Sequence, residues 1–288
     1  MAWPDSTQVP CSDGMFPIAC PAPGDPLAQD GSYPGNAPKF HPSGAEILVD
    51  ERTGLAWQKS PPDTTMSWSQ ADMACKAFAP VELPGGWRLP TRLEVMSLTD
   101  YGLLPTLDPM FTQLSNSTLW TATALATAPG KHFIHDIDYG FNDLALDAMG
   151  NAHRCVSGAL PGGTPVTGAD SVVDPRTGLE WDNAFLDGHT WFDALSYCEA
   201  STTGGYTDWR LPNIKELSTL IDDAAPAAPF VDASLFVSLP VSSVIFFSAT
   251  PEREVPDHIW AIDVEDGRTI TNNLPSELYG RRCVRTSP

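Results

Sequence analysis

The 288-residue sequence predicts an α+β domain written twice in tandem. Three observations carry that expectation. Motifs recur in one order at a nearly constant offset. Each copy runs from a hairpin through two helix starts into alternating strands. Cysteines fall at matching places in both copies.

The recurrence is dense. "VDERTGLAW" at Val49 to Trp57 returns as "VDPRTGLEW" at Val173 to Trp181. "SWSQADMACKA" from Ser67 returns as "TWFDALSYCEA" from Thr190, and "GGWRLPTRLEV" from Gly85 returns as "TDWRLPNIKEL" from Thr207. "LWTAT" at Leu119 matches "FFSAT" at Phe246, and Arg-Cys-Val stands at Arg154 and again at Arg282. These place a first domain at 46–158, a Gly- and Pro-rich linker at 159–169 and a second domain at 170–288.

Each element has a local reason. Gly54 and Gly178 suit the hairpin turn, which needs a positive φ. Ser67 with Gln70 reads as a capping box opening a first helix, and Thr190 with Asp193 as a near relative of one. Pro90 and Pro212 stop the incoming strand, and Thr91 and Asn213 then cap a second helix. Glu94 and Glu216 sit three residues on, beside the free N–H groups of the helix start. Leu93, Met96 and Leu98, like Ile214, Leu217, Leu220 and Ile221, fall at roughly helical spacing. Trp87 and Trp209 are expected in the framework, and Trp120 and Phe246-Phe247 in a core strand. "KHFIHDIDYG" and "DHIWAIDVEDGRTI" alternate as strands do, with a hairpin at Asp266-Gly267.

Residues 1–45 hold 9 of the 28 prolines and lack apolar periodicity, so they are expected to form an extended arm or loop-rich extension. The opening "MAWPDS" lacks the charged start and apolar core of an export signal. No run approaches 18 apolar residues, so no segment is expected to insert into a membrane. Acidic residues outnumber basic ones 36 to 16, for a net charge of −20. Both domains share the excess, which disfavours nucleic acid, whose phosphates call for Lys and Arg.

The duplication pairs the six cysteines. Each domain should repeat its own crosslink from first helix to last strand, Cys75–Cys155 and Cys198–Cys283, leaving Cys11–Cys20 as a local pair. Zinc is disfavoured, since no CxxC occurs. Disulfides place the chain in an oxidising compartment: secreted, at the cell surface or periplasmic.

Together the Asp-x-Arg-Thr-Gly-Leu-x-Trp, Trp-Arg-Leu-Pro, Ala-Thr and Arg-Cys-Val motifs resemble the Lcl C-terminal domain family of bacterial surface and secreted proteins. The resemblance covers most of the chain. It implies two tandem C-type-lectin-like domains, each with two helices and a mainly antiparallel sheet, used in adhesion or glycan recognition without catalysis. Two departures stand out. The adhesin that names the family is associated with sulfated polysaccharides, which these acidic domains would repel. No collagen-like stalk is present, so no trimer is implied. The Glu-Pro-Asn and Trp-Asn-Asp signals of calcium-dependent lectins are also absent.

Little else points to chemistry. "HFIHD" at His132 to Asp136 reads as a solvated strand edge. Carboxylates crowd the late loops at a density that could hold structural calcium, without the spacing of a dedicated loop. No nucleophile elbow organises the Ser, His and Asp residues. The expected function is therefore an exported, non-enzymatic binding or adhesion protein whose partner is a glycan or a surface protein. The alternative is a structural envelope or surface-assembly component. An enzyme of the formylglycine-generating type would need a reactive cysteine pair or a metal, and the repeat assigns the cysteines to crosslinks. Recognition is expected in the divergent late segments 125–153 and 251–281, with Tyr139, Asn142, Asn272, Asn273 and Tyr279 as contacts.

Overall fold

The computed structural model describes residues 3–8, 10–184, 186–232, 235 and 245–287. It divides into two compact units, Pro38–Leu160 and Met1–Ala37 with Pro161–Pro288. Both are mixed α/β, with few helices, small and mainly antiparallel sheets, and disulfides.

The first unit opens with the expected hairpin. Strands Phe40–Pro42, Ile47–Asp50, Ala56–Gln58 and Val156–Ser157 form a four-stranded antiparallel sheet in that order. Gly54 takes φ 74° in the turn, where Asp50 accepts the Arg52 N–H and the Thr53 hydroxyl. Helix α1 (Trp68–Ala77) starts at the Ser67/Gln70 capping box and helix α2 (Arg92–Leu98) at the Thr91/Glu94 box. A second sheet holds Thr118–Ala124, Lys131–Asp136 and Asn142–Leu146, all antiparallel. The expected single sheet is thus two sheets in this copy, because the chain between α2 and the last strand pairs with itself. Trp57, Trp87, Trp120, Leu48 and Val95 are buried in the core.

In the second unit Val166–Thr167, Ser171–Asp174, Leu179–Asp182 and Val284–Thr286 make the equivalent four-stranded sheet. Part of the stretch expected as a linker is therefore an edge strand. The other sheet orders Leu186–His189, Tyr279–Arg281, Ile245–Pro251, Ile259–Asp263 and Thr269–Asn273, with one parallel pairing at Phe246 and Gly280. Helix α3 (Trp191–Glu199) follows the Thr190/Asp193 box. Helix α4 (Ile214–Leu217) is one turn long and runs on as a 3-10 turn, Ser218–Leu220, which keeps Ile214, Leu217 and Leu220 buried.

All three disulfides join the expected partners: Cys11–Cys20, Cys75–Cys155 and Cys198–Cys283. Cys75 and Cys155 lie beside His153, but their sulfurs bond each other, so no thiolate is offered to a metal. No described helix is long and apolar enough to cross a membrane.

The extension expected over residues 1–45 does not stand apart. Residues from Pro38 join the first unit, where Phe40–Pro42 adds a strand, and Met1–Ala37 folds into the second. Polar burial explains that placement. Ser6, Gln8, Ser12, Gln29, Asp30 and Ser32 are all buried, and hydrogen bonds hold most of them.

Candidate functional site

The recurrent motifs meet in space. In the first copy the Arg88 N–H donates to Val156 O and the Val156 N–H returns to Arg88 O. The Ala122 N–H donates to Pro90 O at 2.6 Å, and Thr123 Oγ1 accepts from the Arg92 N–H that opens α2. The second copy repeats each bond through Arg210 with Val284, Ala249 with Pro212, and Thr250 with Ile214. Trp-Arg-Leu-Pro, Ala-Thr and Arg-Cys-Val are thus one interlocked scaffold. Arg154 also serves it, donating from a buried position to Gln58 O, Lys59 O and Thr112 O.

The scaffold carries an ion pair that pattern reading missed. Arg88 makes a bidentate contact with Glu94 at 2.6 and 2.7 Å, and Arg210 does the same with Glu216 at 2.6 Å. The same carboxylates accept the Thr91 and Asn213 N–H groups, so each Glu caps a helix and neutralises an Arg. An Arg six residues before the Glu in both copies was the available signal.

Around Arg210 the two copies part company. The Arg88 guanidinium gives its spare contact to Gly158 O, and 33 % of its side chain stays exposed. Arg210 is instead covered by the arm and is 15 % exposed. The Tyr33 ring lies 5.5 Å from its guanidinium, and the Tyr33 hydroxyl donates to Glu199 Oε1 at 2.6 Å. Lys215, fully buried, donates to Asp5 O, while Asn213 Nδ2, Ser6 N and Gly35 N donate to the Asp5 carboxylate. Asp30 Oδ2 accepts from Ser6 Oγ and from Thr250 Oγ1.

The result is a dense charge cluster of Asp5, Asp30, Lys215, Glu216 and Arg210. Burial, with Asp5 nearby, pushes the Asp30 carboxyl up to about 8. Burial first and Glu216 second also raise Asp5. Arg210 rises because Glu216, Asp5 and Asp30 outweigh its desolvation. Beside the cluster opens a cleft of about 460 Å³, lined by Trp3, Asp5, Tyr33 and Asn36 from the arm and by Arg210 and Glu216 from the second copy.

The residues expected to bind ligand are not gathered into one site. Tyr139 stands on the first copy's late loop, 51 % exposed, with Leu146 and Met149 also exposed. Asn142 is 1 % exposed, and its Oδ1 lies 3.0 Å from His135 Nδ1, so that side chain serves the interior. Tyr279 packs its ring 4.9 Å from Phe247 and donates to Glu277 Oε2, so its hydroxyl already has a partner within its own copy. Burial, then the hydrogen bond to Glu277 and its charge, raise the hydroxyl to about 12. Asn272 and Asn273 end the strand Thr269–Asn273, and their side chains lie outside the described residues.

"HFIHD" is not a solvated edge. His135 is buried against Thr99 and Asn142, and His132 stacks 3.9 Å from Trp68 with Asp147 on its Nδ1. Of the late carboxylates, Asp136 accepts the Asp138 and Tyr139 N–H groups and the Ser117 hydroxyl, and so organises a turn. Trp120, Phe246 and Phe247 are buried core residues, as expected.

The model of the Lcl C-terminal domain family matches residues 46–157 and 170–285. No curated protein matches the chain.

Proposed function

The chain belongs to the Lcl C-terminal domain family, in two tandem copies, and we propose from that premise that it is an exported, non-enzymatic adhesion protein built from two lectin-like modules. The family points to a surface or adhesin-like role. Three disulfides support an oxidising compartment.

One observation supports placing recognition on the late loops. Tyr139, Leu146 and Met149 in the first copy, and Leu274 and Leu278 in the second, are large apolar side chains exposed on these segments. The scaffold beneath them is the part that both copies share. Loops on a fixed scaffold can change their contacts without disturbing the core. The partner is a glycan or a surface protein that lays an apolar face against these side chains.

A glycan array probed with the full chain tests this reading. Saccharide hits that vanish in a folded Tyr139→Ala, Met149→Ser double variant support late-loop recognition. Hits that survive the double variant refute it. Silence across the array, with concentration-dependent self-association, would favour a structural envelope component.

A further inference from the structure

The cleft between the arm and the second copy has a composition that selects its ligand. We propose that it binds a neutral saccharide, one or two pyranose units in size. The cleft is a different place from the late loops, and the inference stands on its own geometry.

Size comes first. About 460 Å³ falls within the roughly 300–1,000 Å³ typical of small-molecule sites. The volume is enclosed by two segments distant in sequence, residues 3–36 and the WRLP-bearing copy, so it exists only because the arm is folded down.

Charge comes second. The lining holds Asp5, Glu216 and Arg210, and both carboxylates are already partnered. Both Glu216 oxygens are engaged by Arg210, and one also takes the Asn213 N–H. The Asp5 oxygens already accept Ser6 N, Asn213 Nδ2 and Gly35 N. An anion would meet two carboxylates in a domain that is itself strongly acidic. A cation would have to break bonds already made. Entry of either would leave a desolvated charge without a partner. A fully apolar ligand fails for the opposite reason, because it would strip water from the polar lining without replacing its hydrogen bonds.

What remains is a neutral molecule with an apolar face and many hydroxyls. The lining answers both features. Trp3 and Tyr33 supply aromatic surface, and Pro23 and Pro34 add rigid apolar wall. The Asn36 carboxamide and the Thr286 hydroxyl line the cleft with no protein partner among the described residues. The buried Trp3 indole N–H is also unpartnered there. Asp5 Oδ2 and Glu216 Oε1 each accept one bond and keep a lone pair for a hydroxyl, and a neutral donor adds no charge to be balanced.

The first copy shows why the site is confined to the second. Leu93 stands where the second copy has Lys215, whose ammonium holds the Asp5 backbone carbonyl. Without that anchor the first copy has no arm to close a wall over its Arg88–Glu94 pair.

The test uses the full chain and a panel of neutral disaccharides: lactose, maltose, cellobiose and N,N′-diacetylchitobiose. Glucuronic acid and glucosamine serve as charged comparators. Isothermal titration and tryptophan fluorescence report binding. At least one neutral sugar should bind, with both charged comparators weaker. Asn36→Ala should weaken that binding roughly tenfold, the loss of one or two good hydrogen bonds. Asn36→Gln should recover part of it. Amide protection over residues 28–36 should be unchanged in both variants, which separates loss of a contact from loss of the arm. Silence of the whole panel would overturn the proposal, as would tighter binding of a charged comparator. Equal binding in wild type and Asn36→Ala would overturn it too. Binding lost in Tyr139→Ala but kept in Asn36→Ala would assign saccharide recognition to the late loops instead.

Discussion

Raising the pH should loosen the arm, and Asp30→Asn should abolish most of that effect. Asp30 is fully buried in the docked arm and its carboxyl is raised from 3.8 to about 8, chiefly by desolvation and then by Asp5. A released arm exposes Asp30 to water, where it takes its ordinary value. Between those two values the docked state holds a proton that the released state has lost. Docking is therefore strongest below about pH 4 and weakens as pH rises through 8. Each unit in that window costs about 1.4 kcal/mol, so roughly 3–4 kcal/mol should be lost between pH 5 and pH 8. Facing groups shape the curve. Asp5 is raised in the same sense, while Arg210 and Lys215 oppose it, and Ser6 and Thr250 donate to Asp30 whatever its charge. In Asp30→Asn the neutral amide replaces the protonated acid, with a cost of about 1 kcal/mol at pH 5 for imperfect hydrogen bonding. At pH 8 the order reverses, and the variant's arm is the better held. Asp5, raised by burial first and Glu216 second, leaves the variant a residual slope. Hydrogen exchange of peptides from residues 3–8 and 28–36, corrected for intrinsic rates, gives the opening free energy at each pH. Parallel slopes in wild type and Asp30→Asn would refute the reasoning.

Three further outcomes follow from named contacts. Glu216→Ala should destabilise its copy by about 3 kcal/mol or more, since it strips a cap and orphans the covered Arg210. Glu94→Ala should cost about 2 kcal/mol, because water can reach Arg88; equal losses by amide exchange in the two copies would contradict this. Lys215→Leu, which installs the first copy's residue, should speed exchange in residues 3–8 and leave the α3 amides protected. Unchanged arm protection would show that Lys215 is no anchor. Replacing Cys198 and Cys283 together by Ser should cost about 4.5 kcal/mol by chain entropy, against about 2.5 kcal/mol for Cys11 and Cys20. Denaturant titration would show the ranking, and a reversed order would mean that loop length does not govern these crosslinks.

The parts of this fold that were legible in the sequence are those fixed by short-range chemistry. A capping box needs only a hydroxyl or amide and a carboxylate three residues later, so Thr91/Glu94 and Asn213/Glu216 could be placed before any coordinates. The disulfides were legible because the duplication restricts which cysteines may pair. Strand partners were not, since alternation marks a strand without saying which neighbour it takes. The sheet of each copy accordingly divides into two. His135 is hidden from pattern reading for a related reason. A polar residue on an alternating strand reads as outward-facing, yet Thr99 and Asn142 satisfy it inside.

The arm was the least legible element, and its chemistry explains why. Pattern reading looks for apolar periodicity, but this segment is held by polar groups whose partners lie far along the chain, 166 residues for Tyr33 with Glu199 and 244 for Ser12 with Pro256. Such contacts leave no period in the sequence. They do leave an asymmetry between copies. Where duplicated scaffolds share Arg, Leu, Pro and Glu but one replaces a leucine with a lysine, the lysine must be satisfied by something its twin lacks. Lys215, buried and bonded to the Asp5 carbonyl, shows what that something is. Lys215 opposite Leu93 is thus the trace of this docked segment in the sequence, whereas the buried Arg92 opposite Ile214 is met within its own copy, over the Phe133 ring. The same mark locates the cleft, because the arm that satisfies Lys215 is the arm that builds the second wall beside Arg210.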